Sequence, residues 1–246
     1  MFRSLILALA LAAPFICHAD NLDDAIAKYR ARRDTITPVQ VLDWLKAGNR
    51  RFAAGAAEHG GYPVDARERI HASAAGQRPL AVVLSCIDSR TTPELAFDVS
   101  VGDVFTARVG ANVINDDVLG SLEIAANSGA KVVVIMGHTD CGGVKGAIDN
   151  LVLGHATAML AKVKPAIAAV NARLDADPAF AHEVGERSTQ NRRYVAEVAH
   201  ANARASFAAA LAQSPLLREM VDRGEILFVG ALFDVDTGEV RWEPVR

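Results

Sequence analysis

The chain has 246 residues, of which 51% are hydrophobic and 22% are charged, and its formal net charge at pH 7 is -3. This length allows one sizeable domain or two small ones, and the composition is that of an ordinary globular protein. The small negative charge gives no reason to expect a nucleic-acid partner.

The first 19 residues differ from the rest of the chain. A short basic start, Met1-Phe-Arg3, precedes an almost entirely apolar stretch over residues 4–17, and Ala19 follows. This pattern predicts a secretory signal peptide over residues 1–19. A membrane anchor is the alternative, but crossing a bilayer needs roughly 20 apolar residues. We therefore expect an exported, periplasmic protein with one domain over residues 20–246.

Residues 21–78 have helical features. Apolar residues at helical spacing predict a helix after residue 21, and Thr37-Pro38 predicts the N-cap and first residue of a second helix. Gly48 and Gly55 are expected to interrupt or end this second helix. Residues 56–78 predict a loop with a short helix.

Three apolar runs and one β-branched and aromatic stretch, Val104–Val109, then predict the strands of a sheet. The apolar runs are Leu80–Leu84, Lys131–Met136 and Ile226–Val229. Runs without alternation are typical of strands covered on both faces, which favours a mainly parallel sheet between helices. A helix capped by Asp116 or Asp117 is predicted between the second and third strands.

The remaining C-terminal segments complete an α/β pattern. Residues 144–223 are rich in alanine and predict helices, the last beginning at Ser214-Pro215. A turn at Asp236-Thr-Gly238 predicts a final return strand. We expect one α/β domain with a central, mainly parallel sheet flanked by helices.

Two short motifs follow predicted strands: Cys86-Ile-Asp88-Ser-Arg90 and His138-Thr-Asp-Cys141. In open α/β sheets, ligand sites form beyond the carboxyl ends of strands, so the two motifs can meet if their strands are neighbours. Two thiolates and an imidazole suit zinc, and three protein ligands leave a position for water, as in catalytic sites. We predict that Cys86, His138 and Cys141 bind zinc.

Asp88 has two possible roles beside this site. It can become the fourth metal ligand and close the site, or it can pair with Arg90 and leave the metal open to water. In the open form, Asp88 accepts a hydrogen bond from zinc-bound hydroxide. Zinc lowers the pKa of bound water from about 15.7 to about 7, which would supply hydroxide at neutral pH.

The cysteines also allow a disulfide. Removal of the signal peptide takes away Cys17 and leaves only Cys86 and Cys141, and an exported protein with two cysteines invites that interpretation. A disulfide gives no role to His138, however, so metal binding is favoured. The other histidines lack metal-binding spacing and are expected to be surface or packing residues.

The residues around the two motifs resemble the β-class carbonic anhydrases. The matching stretches are Cys86–Glu94, Gly102–Phe105 with Arg108, and Gly137–Val144. Weaker similarity extends over Leu45–Phe52 and over Gly230–Asp234 with Thr237-Gly238. Together these stretches span nearly all of the chain that follows the signal peptide.

The resemblance implies a fold, an assembly and a reaction. The fold is a mainly parallel sheet flanked by helices, and the assembly is a homodimer or a higher homo-oligomer. Cys86, His138 and Cys141 would hold one Zn²⁺ per subunit, and Asp88 and Arg90 would form the catalytic dyad. The reaction would be the reversible hydration of carbon dioxide to bicarbonate and a proton.

The chain departs from the family pattern at two places. Members that close their site when bicarbonate binds carry a tryptophan three residues before the first cysteine, where this chain has Val83. Arg108 matches the arginine of that bicarbonate pocket. We therefore expect the open, water-bound form without bicarbonate-gated closure. The segment Val109–Asn112 also lacks the asparagine that many members carry directly after the arginine.

Other functions use the same residues. Related proteins on this scaffold hydrolyse carbonyl sulfide or carbon disulfide. A non-catalytic zinc protein closed by Asp88, and a thiol redox protein using Cys86 and Cys141, are two further alternatives.

Overall fold

A five-stranded sheet forms the centre of the fold. The computed structural model describes residue 33 and residues 35–58 and 66–246. The strands are β1 (Ala81–Ser85), β2 (Val104–Arg108), β3 (Val132–His138), β4 (Leu227–Phe233) and β5 (Val240–Val245). Their order across the sheet is β2-β1-β3-β4-β5, and only the β4–β5 pair is antiparallel. The predicted α/β class with a mainly parallel sheet is confirmed.

Helices connect these strands. In chain order they are α1 (Pro38–Ala53), α2 (Ala66–Ala72), α3 (Pro93–Ala96), α4 (Asp116–Asn127), α5 (Gly142–Ile148), α6 (Ala156–Ala161), α7 (Lys164–Ala176), α8 (Pro178–Val184), α9 (Arg192–Gln213) and α10 (Pro215–Asp222). A short 3-10 turn, Gly110–Asn112, lies between β2 and α4. Within the described part of the chain, no helix has the length and apolar character needed to cross a membrane.

Both faces of the sheet are buried against helices. On one face, Val83 belongs to a cluster with Leu45 of α1. On the other face, Leu84 belongs to a cluster with Leu122 of α4 and Leu217 of α10. Every residue of β1 and β3 is buried. This two-sided burial explains why these strands are continuous apolar runs in the sequence.

The register of β1 and β3 brings the two sequence motifs together. The strands are parallel neighbours, and Leu84 pairs with Ile135. Cys86 therefore lies two residues beyond this pair on one strand, and His138 lies three residues beyond it on the next. Both are at the carboxyl edge of the sheet, where open α/β folds form their ligand sites.

Helix α1 begins as predicted but continues through Gly48. Thr37 and Gln40 form a reciprocal capping box, and Pro38 is the first helical residue. The prediction that Gly48 interrupts the helix was wrong. A Cβ atom at Gly48 would lie 1.8 Å from the carbonyl oxygen of Phe97, so glycine here allows α1 to approach the end of α3.

The cap of α4 also differs from the prediction. Asn115, not Asp116 or Asp117, is the N-cap, and its side chain accepts a hydrogen bond from the Val118 amide. The two aspartates occupy the first turn, where negative charge also interacts favourably with the helix dipole. The predicted start of the last helix is confirmed, because Ser214 caps α10.

Contacts group Ile36–Arg246 into one compact unit. The predicted signal peptide, the domain start at residue 20 and nearly all of the helix predicted after residue 21 lie outside the described residues. These three remain predictions.

Candidate metal centre

The structure brings the three predicted ligands together. The sulfur atoms of Cys86 and Cys141 and a ring nitrogen of His138 all lie within 4.8 Å of one another. The two sulfur atoms are 3.9 Å apart. Cys86 follows β1, His138 ends β3, and Cys141 is the N-cap of α5. In the described part of the chain, no other group of His, Cys, Asp or Glu side chains has this geometry.

The two ring nitrogens of His138 have different surroundings. Its Nδ1 atom lies 2.9 Å from the carbonyl oxygen of Thr139, which assigns the proton to Nδ1. The buried Nε2 atom has no hydrogen-bond partner among the described residues. A buried polar nitrogen without a partner is costly, and a metal ion would remove this cost.

The two thiols differ in proton affinity. The hydrogen bond with Cys141 lowers the pKa of Cys86, and the nearby His138 lowers it further. The same bond and burial raise the pKa of Cys141. The pair therefore favours one thiolate and one thiol, and binding a cation through both sulfurs would release the remaining proton.

Asp88 and Arg90 form a bidentate ion pair beside the three ligand candidates. Arg90 donates from Nε to Asp88 Oδ1 at 2.9 Å and from Nη2 to Asp88 Oδ2 at 2.8 Å. These bonds hold the pKa of the Asp88 carboxyl well below its usual range. Asp88 Oδ2 is 4.0 Å from His138 Nε2. The carboxylate thus remains ionised and faces the candidate metal site from within the ion pair.

Asp140 is a further neighbour that the sequence predictions missed. Its Oδ2 atom lies 3.5 Å from Arg90 Nη1, and its Oδ1 atom forms an ion pair with Lys145 of α5. Hydrogen bonding from Lys145 lowers the pKa of Asp140. Its position between the two ligands of the second motif could have indicated this role. Asp140 therefore gives the Arg90 guanidinium a second carboxylate partner beside Asp88.

Arg108 binds the backbone of the first motif. Its Nε donates to the carbonyl oxygen of Cys86 at 3.0 Å, and its Nη2 donates to that of Asp88 at 2.6 Å. The family resemblance matches Arg108 to an arginine of a bicarbonate pocket. In the structure its guanidinium holds the loop that carries Cys86 and Asp88. Val83, where that pocket would need tryptophan, is fully buried.

The remaining histidines in the described residues lie outside this group. His200 of α9 pairs with Glu243 of β5, and His155 precedes α6 with an exposed side chain. Neither belongs to the group of side chains that could hold a metal ion.

Comparison with known protein sequences places this site in a family. The family model described as carbonic anhydrase matches residues 81–240. Carbonic anhydrase 2 of Mycobacterium tuberculosis is 31% identical over 207 residues, which are 82% of this chain and 90% of the relative. The carbonic anhydrase of Saccharomyces cerevisiae is 30% identical over 180 residues, which are 68% of this chain and 74% of that protein.

Solved structures agree with this placement. A β-carbonic anhydrase of Aspergillus fumigatus has a TM-score of 0.60 and 29% identity, covering 80% of this chain and 90% of that one. One of two tetrameric β-carbonic anhydrases of Sordaria macrospora shares the fold, with a TM-score of 0.63, 23% identity, and coverage of 92% of this chain and 99% of that one. The sequence matches, the shared fold and the Cys-His-Cys group together show that the chain belongs to the β-carbonic anhydrase family, the β-class carbonate dehydratases.

Proposed function

We propose that this protein catalyses the reversible hydration of carbon dioxide to bicarbonate and a proton, using one Zn²⁺ per subunit. The observation that carries the proposal is the buried group of Cys86, His138 and Cys141, in which the Nε2 atom of His138 has no hydrogen-bond partner within the described part of the chain. Family membership supports the reaction, and the donor set supports the metal.

The three donors fit zinc in chemistry and in number. Thiolates and imidazole are the ligands that zinc prefers, and three protein ligands are typical of catalytic zinc sites. Zinc bound there would lower the pKa of a coordinated water from about 15.7 toward neutrality and so supply the nucleophile. Two thiolates donate more charge to a metal than imidazoles do, which makes the surrounding hydrogen bonds more important.

Asp88 would orient the nucleophile as a hydrogen-bond acceptor. Its ion pair with Arg90 keeps the carboxylate ionised and directed to one side of the three ligand candidates. Both Asp88 oxygens bond to Arg90, which supports the open form rather than one in which Asp88 is a fourth ligand. Arg90 and Asp140 then hold the acceptor while carbon dioxide reacts.

We also propose that bicarbonate does not close this site. The bicarbonate pocket of gated family members uses a tryptophan, and this chain has Val83 at that position. In addition, the Arg108 guanidinium is already bonded to the carbonyl oxygens of Cys86 and Asp88. These bonds occupy Nε and Nη2 of Arg108 and hold the first motif, so a gate that turned the guanidinium toward an anion would release that motif.

Assembly and location are part of the same proposal. We expect a homodimer or higher homo-oligomer, and the tetrameric state named for the Sordaria macrospora relatives supports this expectation.

The signal-peptide pattern over residues 1–19 supports export to the periplasm. N-terminal sequencing of protein recovered from the periplasm, beginning at Asp20, would support this, whereas an intact residue 1 would contradict it.

Stopped-flow measurement of carbon dioxide hydration tests the reaction. We expect rapid hydration by protein that contains one zinc per chain, loss of activity after chelation, and recovery with zinc. Carbonyl sulfide and carbon disulfide serve as parallel substrates. Faster turnover of either one would replace the proposed substrate, and zinc-loaded protein inactive on all three would contradict an enzymatic role.

A further inference from the structure

A strained turn lies directly beside the metal-ligand candidates. In the 3-10 turn Gly110–Asn112, Ala111 has φ 55° and Asn112 has φ 44°. Left-handed backbone is uncommon for residues other than glycine, and two consecutive examples are costly. Such a conformation persists only where the surrounding structure holds it in place. The contacts of this turn therefore indicate its structural role.

The turn is held by a buried side chain of α9. Asn202, which is 1% exposed, donates from Nδ2 to the carbonyl oxygen of Ala111 at 2.7 Å. Helix α5 also packs against this turn. A Cβ atom at Gly143 would lie only 2.9 Å from the Cβ atom of Ala111, so glycine is needed for this approach. Ala111 is thus held in place by both helices.

The amide of the same residue donates to a ligand sulfur. Ala111 N lies 3.3 Å from Cys86 Sγ, and both groups are buried. A hydrogen bond to a metal-bound thiolate withdraws charge from the sulfur and reduces what it donates to the metal. Because this site has two thiolates and one imidazole, such a bond would keep the metal a stronger Lewis acid.

We propose that Asn202 is a positioning residue that holds the Ala111 amide on the sulfur of Cys86 and thereby limits charge donation to the metal. This inference rests on the proposed function, because it requires a metal at the Cys86–His138–Cys141 site. Asn202 acts through the backbone of Ala111 and is not one of the three ligand candidates. An unpaired amide side chain at this depth would be costly, and the Ala111 carbonyl provides a partner for its Nδ2.

Cobalt-substituted protein reports the proposed interaction. Co²⁺ bound to thiolates gives a sulfur-to-metal charge-transfer band in the near ultraviolet, and removal of a hydrogen bond from the sulfur moves this band to longer wavelength. We expect that shift in Asn202→Ala. Ser206→Ala changes a buried polar residue one turn further along α9, and it should leave the band unchanged.

A second measurement uses the unaltered chain and does not depend on a variant that folds. In ¹¹³Cd-substituted, ¹⁵N-labelled protein, the Ala111 amide proton should show scalar coupling to cadmium across the N–H···S bond. Absence of this coupling would contradict the inference. A folded Asn202→Ala variant with one cobalt per chain and an unshifted band would also contradict it.

The two proposals fail in different ways. If the protein binds neither cobalt nor cadmium at one ion per chain, the proposed metal site is wrong. If it binds them but lacks the coupling or the shift, only the role of Asn202 is wrong.

Discussion

The three ligand candidates and the Asp88–Arg90 pair are neighbours, but they differ in exposure. Cys86, His138 and Cys141 are 4%, 1% and 1% exposed, whereas the side chains of Asp88 and Arg90 are 16% and 48% exposed. Solvent weakens a half-exposed ion pair, so it contributes little to stability. The difference indicates that metal retention and turnover depend on different residues and can be separated by substitution.

The largest effect is expected at the buried ligands. His138→Ala removes the only imidazole among the three ligand candidates, so the protein should lose its zinc, and hydration should fall to the uncatalysed rate. Zinc content and stopped-flow rates measure this change together. His155→Ala, at an exposed position before α6, is the matched control and should change neither. Full zinc occupancy in His138→Ala would show that the ion is bound elsewhere.

A large effect without metal loss is expected at the half-exposed pair. Asp88→Asn keeps the size of the side chain but removes an ionised acceptor, so hydration should slow on the order of 10²-fold. Zinc content should stay at one per chain. Asp117→Asn, on the exposed first turn of α4, is the control and should change neither the hydration rate nor the zinc content. Loss of zinc from Asp88→Asn would instead indicate that Asp88 is a ligand.

A smaller effect is expected at Arg108, which links the two regions by bonding the carbonyls of Cys86 and Asp88. Arg108→Lys retains the charge but cannot make both bonds, so activity should fall about 10–100-fold. Kinetics and zinc release to a chelator measure the loss. Arg223→Lys, which alters an ion pair before β4, is the control. Unchanged kinetics in Arg108→Lys would contradict a positioning role.

The smallest effect on catalysis is expected at Gly48, which belongs to neither region. Gly48→Ala places a Cβ atom against the backbone of Phe97 and should lower the free energy of unfolding by about 1–3 kcal/mol. Zinc content should not change. Gly120 lies in the middle of α4 with open space around it. Gly120→Ala should therefore leave the free energy of unfolding unchanged or raise it. Equal stability of the two variants, measured by chemical denaturation, would contradict this account of α1.

Much of this arrangement was predictable from the sequence. Continuous apolar runs identified β1, β3 and β4, because strands covered on both faces need no alternation. Strand β2 lies at the edge of the sheet and is only partly buried, and its β-branched and aromatic residues identified it instead. The positions of Cys86 and His138 at strand ends then predicted their convergence. The spacing of Asp88 and Arg90 allowed an ion pair, the family resemblance implied a catalytic dyad, and the structure places the two side chains in contact.

The missed features depend on contacts between distant parts of the chain. From the sequence alone, Gly48 is expected to break a helix, and only the structure shows that the backbone of Phe97 packs against it. Asn202 is one polar residue in an alanine-rich helix, and its partner Ala111 lies 91 residues earlier in the sequence. Periodicity and capping patterns report on near neighbours, so neither contact leaves a local signal.

A crystal structure of the zinc-loaded protein at mildly alkaline pH tests the central claim most directly. The account predicts zinc bound by Cys86 Sγ, His138 Nε2, Cys141 Sγ and one water, with Asp88 still paired to Arg90. A zinc ion ligated by Asp88, with the ion pair broken, would contradict the open site. A disulfide between Cys86 and Cys141 without metal would contradict the zinc enzyme altogether.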